Sequence, residues 1–119
     1  MTEGSGPAVL VVDDDITLAY LIVAVCRDLG FRCRMATSVH EARGALREEA
    51  FSLILCDGYL TDGSGLLLLD DLPDPPPPVV LCTGARQPPS DPRIDSVLKK
   101  PFQVRVLRDT VERWARKRV

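Results

Sequence analysis

The sequence predicts an α/β domain built on an open, helix-covered parallel sheet, and three observations predict it. Short apolar, β-branched runs recur along the chain, stretches of helical periodicity separate them, and polar or acidic residues directly follow the runs. The first run, Ala8–Val12, reads A-V-L-V-V without interruption, the pattern of a strand buried on both faces. After Asp13-Asp14-Asp15 a helical pattern continues to Leu29, with Leu18, Leu21, Ile22, Val25 and Leu29 on one face. Gly30 is placed to close that helix from the C′ position. Phe31–Met35 is expected as the second strand. Ser38, with Glu41 three residues on, forms a capping-box pattern that starts a helix through about Glu49.

Phe51–Cys56 is the third apolar strand, and a Gly-rich loop, Gly58–Gly65, leads into Leu66–Leu72, expected as a leucine-rich helix. Pro73–Pro78 stops it, because a run of four prolines cannot lie in a helix interior; a rigid extended surface connector fits better than a ligand for a partner. Val79–Cys82 is the fourth strand and Val97-Leu98 belongs to a short fifth. Phe102–Arg118 completes the chain as a helix with Val104, Leu107, Val111 and Trp114 or Ala115 on its buried side. Strand alternating with helix argues for one parallel sheet, whose active crevice lies at the carboxyl ends of the strands.

A chain of 119 residues suits one domain with one core, here residues 8–119 behind a flexible N-terminus of residues 1–7. A formal net charge of -2 provides no basic face for nucleic acid; the basic cluster Arg113, Arg116, Lys117 and Arg118 fits the favourable end of a helix dipole. Cys26, Cys33, Cys56 and Cys82 lie in apolar runs without C-x-x-C spacing, so they read as buried reduced thiols rather than a disulfide framework or zinc site. A single histidine, His40, argues against an imidazole metal site or a Ser-His pair. The longest apolar helical stretch, Ile16–Cys26, is too short to span a bilayer, and no signal peptide is visible, so a cytoplasmic location is expected.

Chemistry concentrates at the strand ends. Asp13 and Asp14 follow the first strand, Asp57 the third, Thr83 the fourth and Lys100 the fifth, and a parallel sheet brings all five to one edge. Three neighbouring carboxylates repel one another unless a cation sits among them. Oxygen ligands select hard Mg²⁺, which bridges to phosphate. Thr83 offers a hydroxyl and Lys100 a positive charge to phosphate oxygens, and Gly84 leaves space for an anion. A carboxylate nucleophile beside a divalent metal and a cation fits formation of an acyl phosphate on Asp57. Taken singly, Asp13–Asp15 could be a helix cap, Asp57 a turn residue and Lys100 a solvated charge; their joint placement disfavours those readings.

The segments V-L-V-V-D-D-D, L-I-L-C-D-G-Y-L-T-D-G-S-G, V-V-L-C-T-G and L-K-K-P-F resemble the successive motifs of the response-regulator receiver domain, in order, from Ala8 to the C-terminus. The resemblance implies a (βα)5 flavodoxin-like fold with strand order 2-1-3-4-5. It implies Asp57 as phospho-acceptor, Asp14 as a direct Mg²⁺ ligand with Asp13 in support, and Tyr59 as the donor of a backbone carbonyl to the metal. Thr83 and Lys100 would bind the phosphoryl oxygens, and a histidine kinase or histidine phosphotransfer protein would be the donor. Such a domain is not an enzyme acting on a free substrate; it accepts a phosphoryl group and loses it slowly by itself.

The chain departs from the family pattern in several places. Thr83 to Lys100 is short and holds Pro88, Pro89 and Pro92, so the fourth helix is expected to be missing or reduced to a turn near Ser90–Arg93. Val97 stands where the family has a switch aromatic, which puts the usual output route in doubt. Thr61 replaces a usual proline. Tyr59 and Ala85 occupy positions that in the family govern water access to the aspartyl phosphate, and a bulky Tyr59 is expected to shield it. Ile16, Ala19, Tyr20 and Val23, with Pro101-Phe102-Gln103, form a candidate docking face for the phosphodonor, or else a helix buried by its own chain. Two other functions fit less well: a receiver-like scaffold binding partners whatever its phosphorylation state, and a Mg²⁺-dependent phosphatase. The downstream protein target and the oligomeric state, a homodimer included, are left open by the sequence.

Overall fold

The apolar runs form strands, and the strands lie side by side in one direction. The computed structural model describes residues 7–116. Its five-stranded sheet comprises β1 (Ala8–Val12), β2 (Arg32–Ala36), β3 (Leu53–Asp57), β4 (Val79–Thr83) and β5 (Ser96–Lys99), all pairs parallel, in the order β2-β1-β3-β4-β5. This is the order 2-1-3-4-5 that the resemblance to the receiver domain implies. The expected flexibility of the N-terminus concerns residues that, Pro7 apart, lie outside those described, as do Lys117 and Arg118 of the basic cluster.

Alternation along the strands divides the core into two layers. Val9, Val11, Leu53, Leu55, Val80, Cys82 and Leu98 face helices α1 (Ile16–Asp28) and α3 (Val104–Ala115). Ala8, Leu10, Val12, Ile54, Cys56 and Val79 face α2 (Val39–Glu48) and the segment Gly65–Asp71. Cys26, Cys56 and Cys82 are buried free thiols as expected, whereas Cys33 is only half-buried. Burial pushes the Cys82 thiol up to about 12.

Local chemistry sets the boundaries. Asp15 caps α1 through its side chain, which accepts from the Leu18 N–H at 3.2 Å. At the other end Gly30 has φ +95°, its N–H donates to the Arg27 carbonyl, and the Phe31 N–H donates to the Cys26 carbonyl at 3.0 Å. That pair of bonds is a Schellman motif. It uses Phe31, which is why β2 begins one residue later than the Phe31 expected from the sequence. Ser38 caps α2 by accepting from the Glu41 N–H at 3.0 Å. The reciprocal half of the expected capping box is displaced by one residue: Glu41 accepts from the Thr37 N–H and hydroxyl, at 2.6 and 2.7 Å.

Three other expectations are corrected. Residues 65–71 form a 3₁₀ helix rather than an α-helix. The segment is short, starts from the Ser64 cap and is stopped by Pro73, which holds Leu72 extended. Phe102 and Gln103 precede α3, because the chain leaves Pro101 in irregular backbone and Gln103 is its N-terminal boundary residue. Phe51 is buried but precedes the third ladder, which ends on Asp57 itself. The fourth helix is absent, as expected: a turn at Pro92–Arg93, closed by the Ile94 N–H on the Asp91 carbonyl at 3.0 Å, stands in its place. No helix among the described residues is long and apolar enough to cross a membrane.

Candidate phosphoryl-acceptor site

Parallel pairing carries the strand-end residues to one edge. The register sets Asp57 beside Cys82 and Thr83 beside Lys99, so the ends of β3, β4 and β5 are level. Asp13 continues β1, its N–H donating to the Ala36 carbonyl at 3.0 Å. Carboxylate oxygens of Asp13, Asp14 and Asp57 lie within 4.8 Å of one another, a grouping able to hold a metal ion. The sequence-expected residues therefore converge, with Asp13 and Thr83 buried, Asp57 half-buried and Asp14 exposed.

Asp13 is buried, with both carboxylate oxygens hydrogen-bonded. One carboxylate oxygen accepts from the Asp15 N–H at 2.9 Å and the other from the Lys100 ammonium at 3.0 Å. Lys100 also stands 3.3 Å from Asp57, so a single cation bridges two of the three carboxylates. Burial disfavours the Lys100 charge, but the Asp13 hydrogen bond and the charges of Asp13 and Asp57 outweigh it and raise its pKa. Asp57 is raised first by burial and also by Asp13, while Lys100 and the Tyr59 N–H, donating at 3.3 Å, pull the other way. The Lys100 ammonium thus gives the partly desolvated Asp57 carboxylate a charge partner that offsets part of the cost of its burial.

The remaining residues frame this carboxylate. The Thr83 hydroxyl accepts from the Ala85 N–H at 3.0 Å, and Gly58, next after Asp57, lies close to it, a Cβ there coming within 3.8 Å of the Thr83 oxygen. A Cβ at Gly65 would collide with the Asp57 carbonyl oxygen and approach the Cys56 sulfur at 2.7 Å, so only glycine lets the helix over residues 65–71 start against β3. Tyr59 is 68% exposed. Hard oxygen donors alone make up the acidic group, which fits Mg²⁺ or another hard divalent cation and not a soft metal.

The candidate docking face is partly redrawn. Ile16 and Tyr20 are exposed as expected, but Ala19 and Val23 are buried in the core, and Leu21, assigned to the core stripe, is exposed instead. The buried face of α1 is shifted from the expected stripe and centres on Ala19, Ile22, Val23 and Cys26. Leu18 and Leu21 join Asp15, Lys100, Pro101 and Phe102 around a groove of about 330 Å³ beside the acidic group. A larger groove, about 660 Å³, lies away from the site between the proline segment, Arg93 and Trp114. Two residues escaped the sequence reading. Lys99 donates to the Ala85 and Arg86 carbonyls at 2.7 and 3.4 Å, and Asp62 accepts from the first two N–H groups of α2. A lysine beside the Lys100-Pro101 pair and an aspartate in a turn gave no distinguishing pattern.

Comparison with known proteins agrees with this geometry. The chain is 32% identical over 77 residues to the transcriptional regulatory protein ZraR of Salmonella typhimurium, covering 63% of this chain and 18% of that protein. The chain thus spans about a fifth of the length of the curated relatives it matches. Among solved structures it superposes on the receiver domain of sensor histidine kinase PA1611 from Pseudomonas aeruginosa, which has magnesium in its active-site cleft (TM-score 0.80, 21% identity, 93% and 98% of the two chains). It also superposes on a response regulator from Burkholderia pseudomallei with a phosphorylated aspartic acid, calcium ion and citrate (TM-score 0.73, 24% identity, 93% and 67%). At such identities these two likenesses speak for the fold. The model of the response regulator receiver domain matches residues 9–112, from the first buried strand into the last helix, and this protein belongs to that family.

Proposed function

We propose that this domain receives a phosphoryl group on Asp57 in a Mg²⁺-dependent transfer from a histidine kinase or histidine phosphotransfer protein. The observation that carries the reading is the level placement of Asp13, Asp14, Asp57 and Lys100 at the carboxyl ends of three strands, with the Lys100 ammonium at 3.0 and 3.3 Å from two of the carboxylates. An Asp57 carboxylate oxygen attacks phosphorus, the P–N bond of a phosphohistidine breaks with its electron pair going to nitrogen, and the imidazole leaves neutral, keeping the proton already on its other ring nitrogen. Lys100 meets the charge that accumulates on the phosphoryl oxygens, and the Thr83 hydroxyl donates to one of them. Asp13, Asp14, Asp57 and the Tyr59 carbonyl would hold Mg²⁺, which supplies charge neutralisation at the phosphoryl oxygens. The magnesium and the phosphorylated aspartic acid of the two structural neighbours are consistent with this use of the site.

The groove walled by Leu18, Leu21, Pro101 and Phe102 gives the phosphodonor an apolar surface beside the acceptor. Exposed Ile16 and Tyr20 extend it. Incubation with acetyl phosphate and Mg²⁺ followed by intact mass tests the chemistry. A gain of about 80 Da, one phosphoryl group, is expected in the wild type and absent in Asp57→Asn or without the metal. No gain in the wild type would overturn the reading. It would favour a second one, a scaffold that binds partners independently of phosphorylation. The missing fourth helix and the 40% exposure of Val97, where the family's switch aromatic would stand, are the observations on its side.

A further inference from the structure

The acceptor loop folds back as a small hairpin in which Tyr59 pairs with Ser64 and Leu60 with Gly63. Two residues per strand are too few to hold a hairpin by themselves. The turn between them is Thr61-Asp62, and no residue other than glycine has positive φ among those described, so the turn is not of the primed type that matches hairpin twist. Its rigidity has to come from elsewhere in the fold. Leu60, buried to 8% exposure, is one anchor. The other is Asp62, whose two carboxylate oxygens accept from the Val39 N–H at 2.8 Å and the His40 N–H at 3.0 Å. These N–H groups open α2 and have no acceptor within the helix. The helix dipole adds to their pull, and the carboxyl is held below the usual aspartate range by the two N–H groups.

We propose that Asp62 is a positioning residue for the acceptor site: its carboxylate fastens the loop 58–64 to the N-terminus of α2 and thereby fixes the backbone at Tyr59. The proposal rests on the reading of the site as a Mg²⁺-dependent phosphoryl acceptor. The path is short. Asp62 holds the turn, the turn sets the pairing of Tyr59 with Ser64, and Ser64 in turn bonds the Gly58 carbonyl through its hydroxyl at 3.4 Å. The Gly65 N–H reaches the same carbonyl at 3.0 Å. Residues 57–59 are therefore held by β3 on one side and by the Asp62 anchor on the other. Asp62 touches no reacting group and acts through the backbone that bears the metal-side carbonyl.

Mg²⁺ titration calorimetry on the full chain, with the rate of phosphorylation by acetyl phosphate at rising Mg²⁺, tests this. Asp62→Ala is expected to weaken Mg²⁺ binding about tenfold, the low end of what losing an outer hydrogen-bond partner of a metal ligand costs. Saturating Mg²⁺ should return its rate close to that of the wild type, a change in the metal requirement and not in the chemical step. Asp62→Asn keeps one accepting oxygen and is expected to lose roughly threefold in affinity, consistent with retaining part of the anchor. Arg43→Ala is the control: it cuts the 2.7 Å ion pair between α2 and Asp71 and should leave Mg²⁺ affinity unchanged. Affinity for Asp62→Ala within about twofold of the wild type, or an equal loss in Arg43→Ala, overturns the proposal. If Asp62→Ala does not fold, Asp62→Asn carries the test alone, and wild-type affinity in it is the overturning result. A wild type that neither binds Mg²⁺ nor gains a phosphoryl group overturns the reading of the site and this proposal with it. A wild type that does both beside an indifferent Asp62→Ala overturns only the positioning role.

Discussion

Two carboxylates outside the acidic group govern how the start of α2 responds to acid. Asp62 is lowered first by the Val39 N–H and then by that of His40, and Glu41 first by the Thr37 hydroxyl and then by its N–H. Groups lowered in the folded state stabilise it above their unfolded pKa values, about 3.9 and 4.3, and lose that contribution as pH falls through the lower folded values. The Val39 and His40 amide proton resonances are therefore expected to titrate with a midpoint below about 3.9. Two-dimensional amide NMR between pH 6 and the acid limit checks this, and Asp62→Asn should abolish the titration at both amides. A midpoint at or above the ordinary aspartate value would contradict the bonding geometry. The same spectra report on the neighbouring acceptor loop without requiring that it be phosphorylated.

Among the elements, the connection from Thr83 to Ser96 differs most from a helical crossover, and it is held by side chains instead. Lys99 ties its first residues through the Ala85 and Arg86 carbonyls, and Arg93 ties its last turn to Asp70 at 2.8 Å and Asp91 at 3.0 Å. Asp95 caps the edge of β4 by accepting from the Val79 N–H at 2.8 Å. Lys99→Ala is expected to free the carbonyls and raise the rate of tryptic cleavage after Arg86 several-fold, as local opening controls access. Limited proteolysis resolved by mass spectrometry reads this directly, and an unchanged cleavage rate would sink the idea. The proline spacing made the loss of the helix legible in the sequence, because three prolines within a few residues remove donors and clash with a helical path. The ties were not legible. Lys99 and Asp62 reach partners 14 and 23 residues away, and neither composition nor periodicity encodes a contact at that separation. Strand identity, by contrast, followed from runs such as Ala8–Val12 that only a doubly covered strand can bury, whereas the strand order came from the resemblance to the receiver-domain motifs. The exposure of Leu21 and the burial of Ala19 were misassigned because α1 is apolar nearly all round, so its pattern does not say which stripe meets the sheet.

At the scale of the molecule, the two core layers meet through β1 and β3, and α3 closes one of them. Leu107 is wholly buried there beside Val111 and Ala115. Leu107→Ala is expected to cost about 2–5 kcal/mol in urea unfolding, the range for a deleted core leucine. A loss well under 1 kcal/mol would mean that α3 packs more loosely than its burial indicates. That helix also leans on α1: Arg108 pairs with Asp28 at 2.8 Å, and the Arg116 guanidinium lies 4.5 Å from the centroid of the Phe31 ring while donating to the Leu29 carbonyl.

The connection between β4 and β5 also has a mechanical consequence. It spans residues 84–95, about the dozen that a parallel crossover requires at minimum, and three of them are prolines with φ fixed by their rings. A helix in that place could slide or unwind to take up a displacement at Thr83. Here side chains tether the connection instead, Lys99 to the Ala85 and Arg86 carbonyls and Arg93 to Asp70 and Asp91, so a displacement at Thr83 meets resistance first at Lys99, the residue next to Lys100.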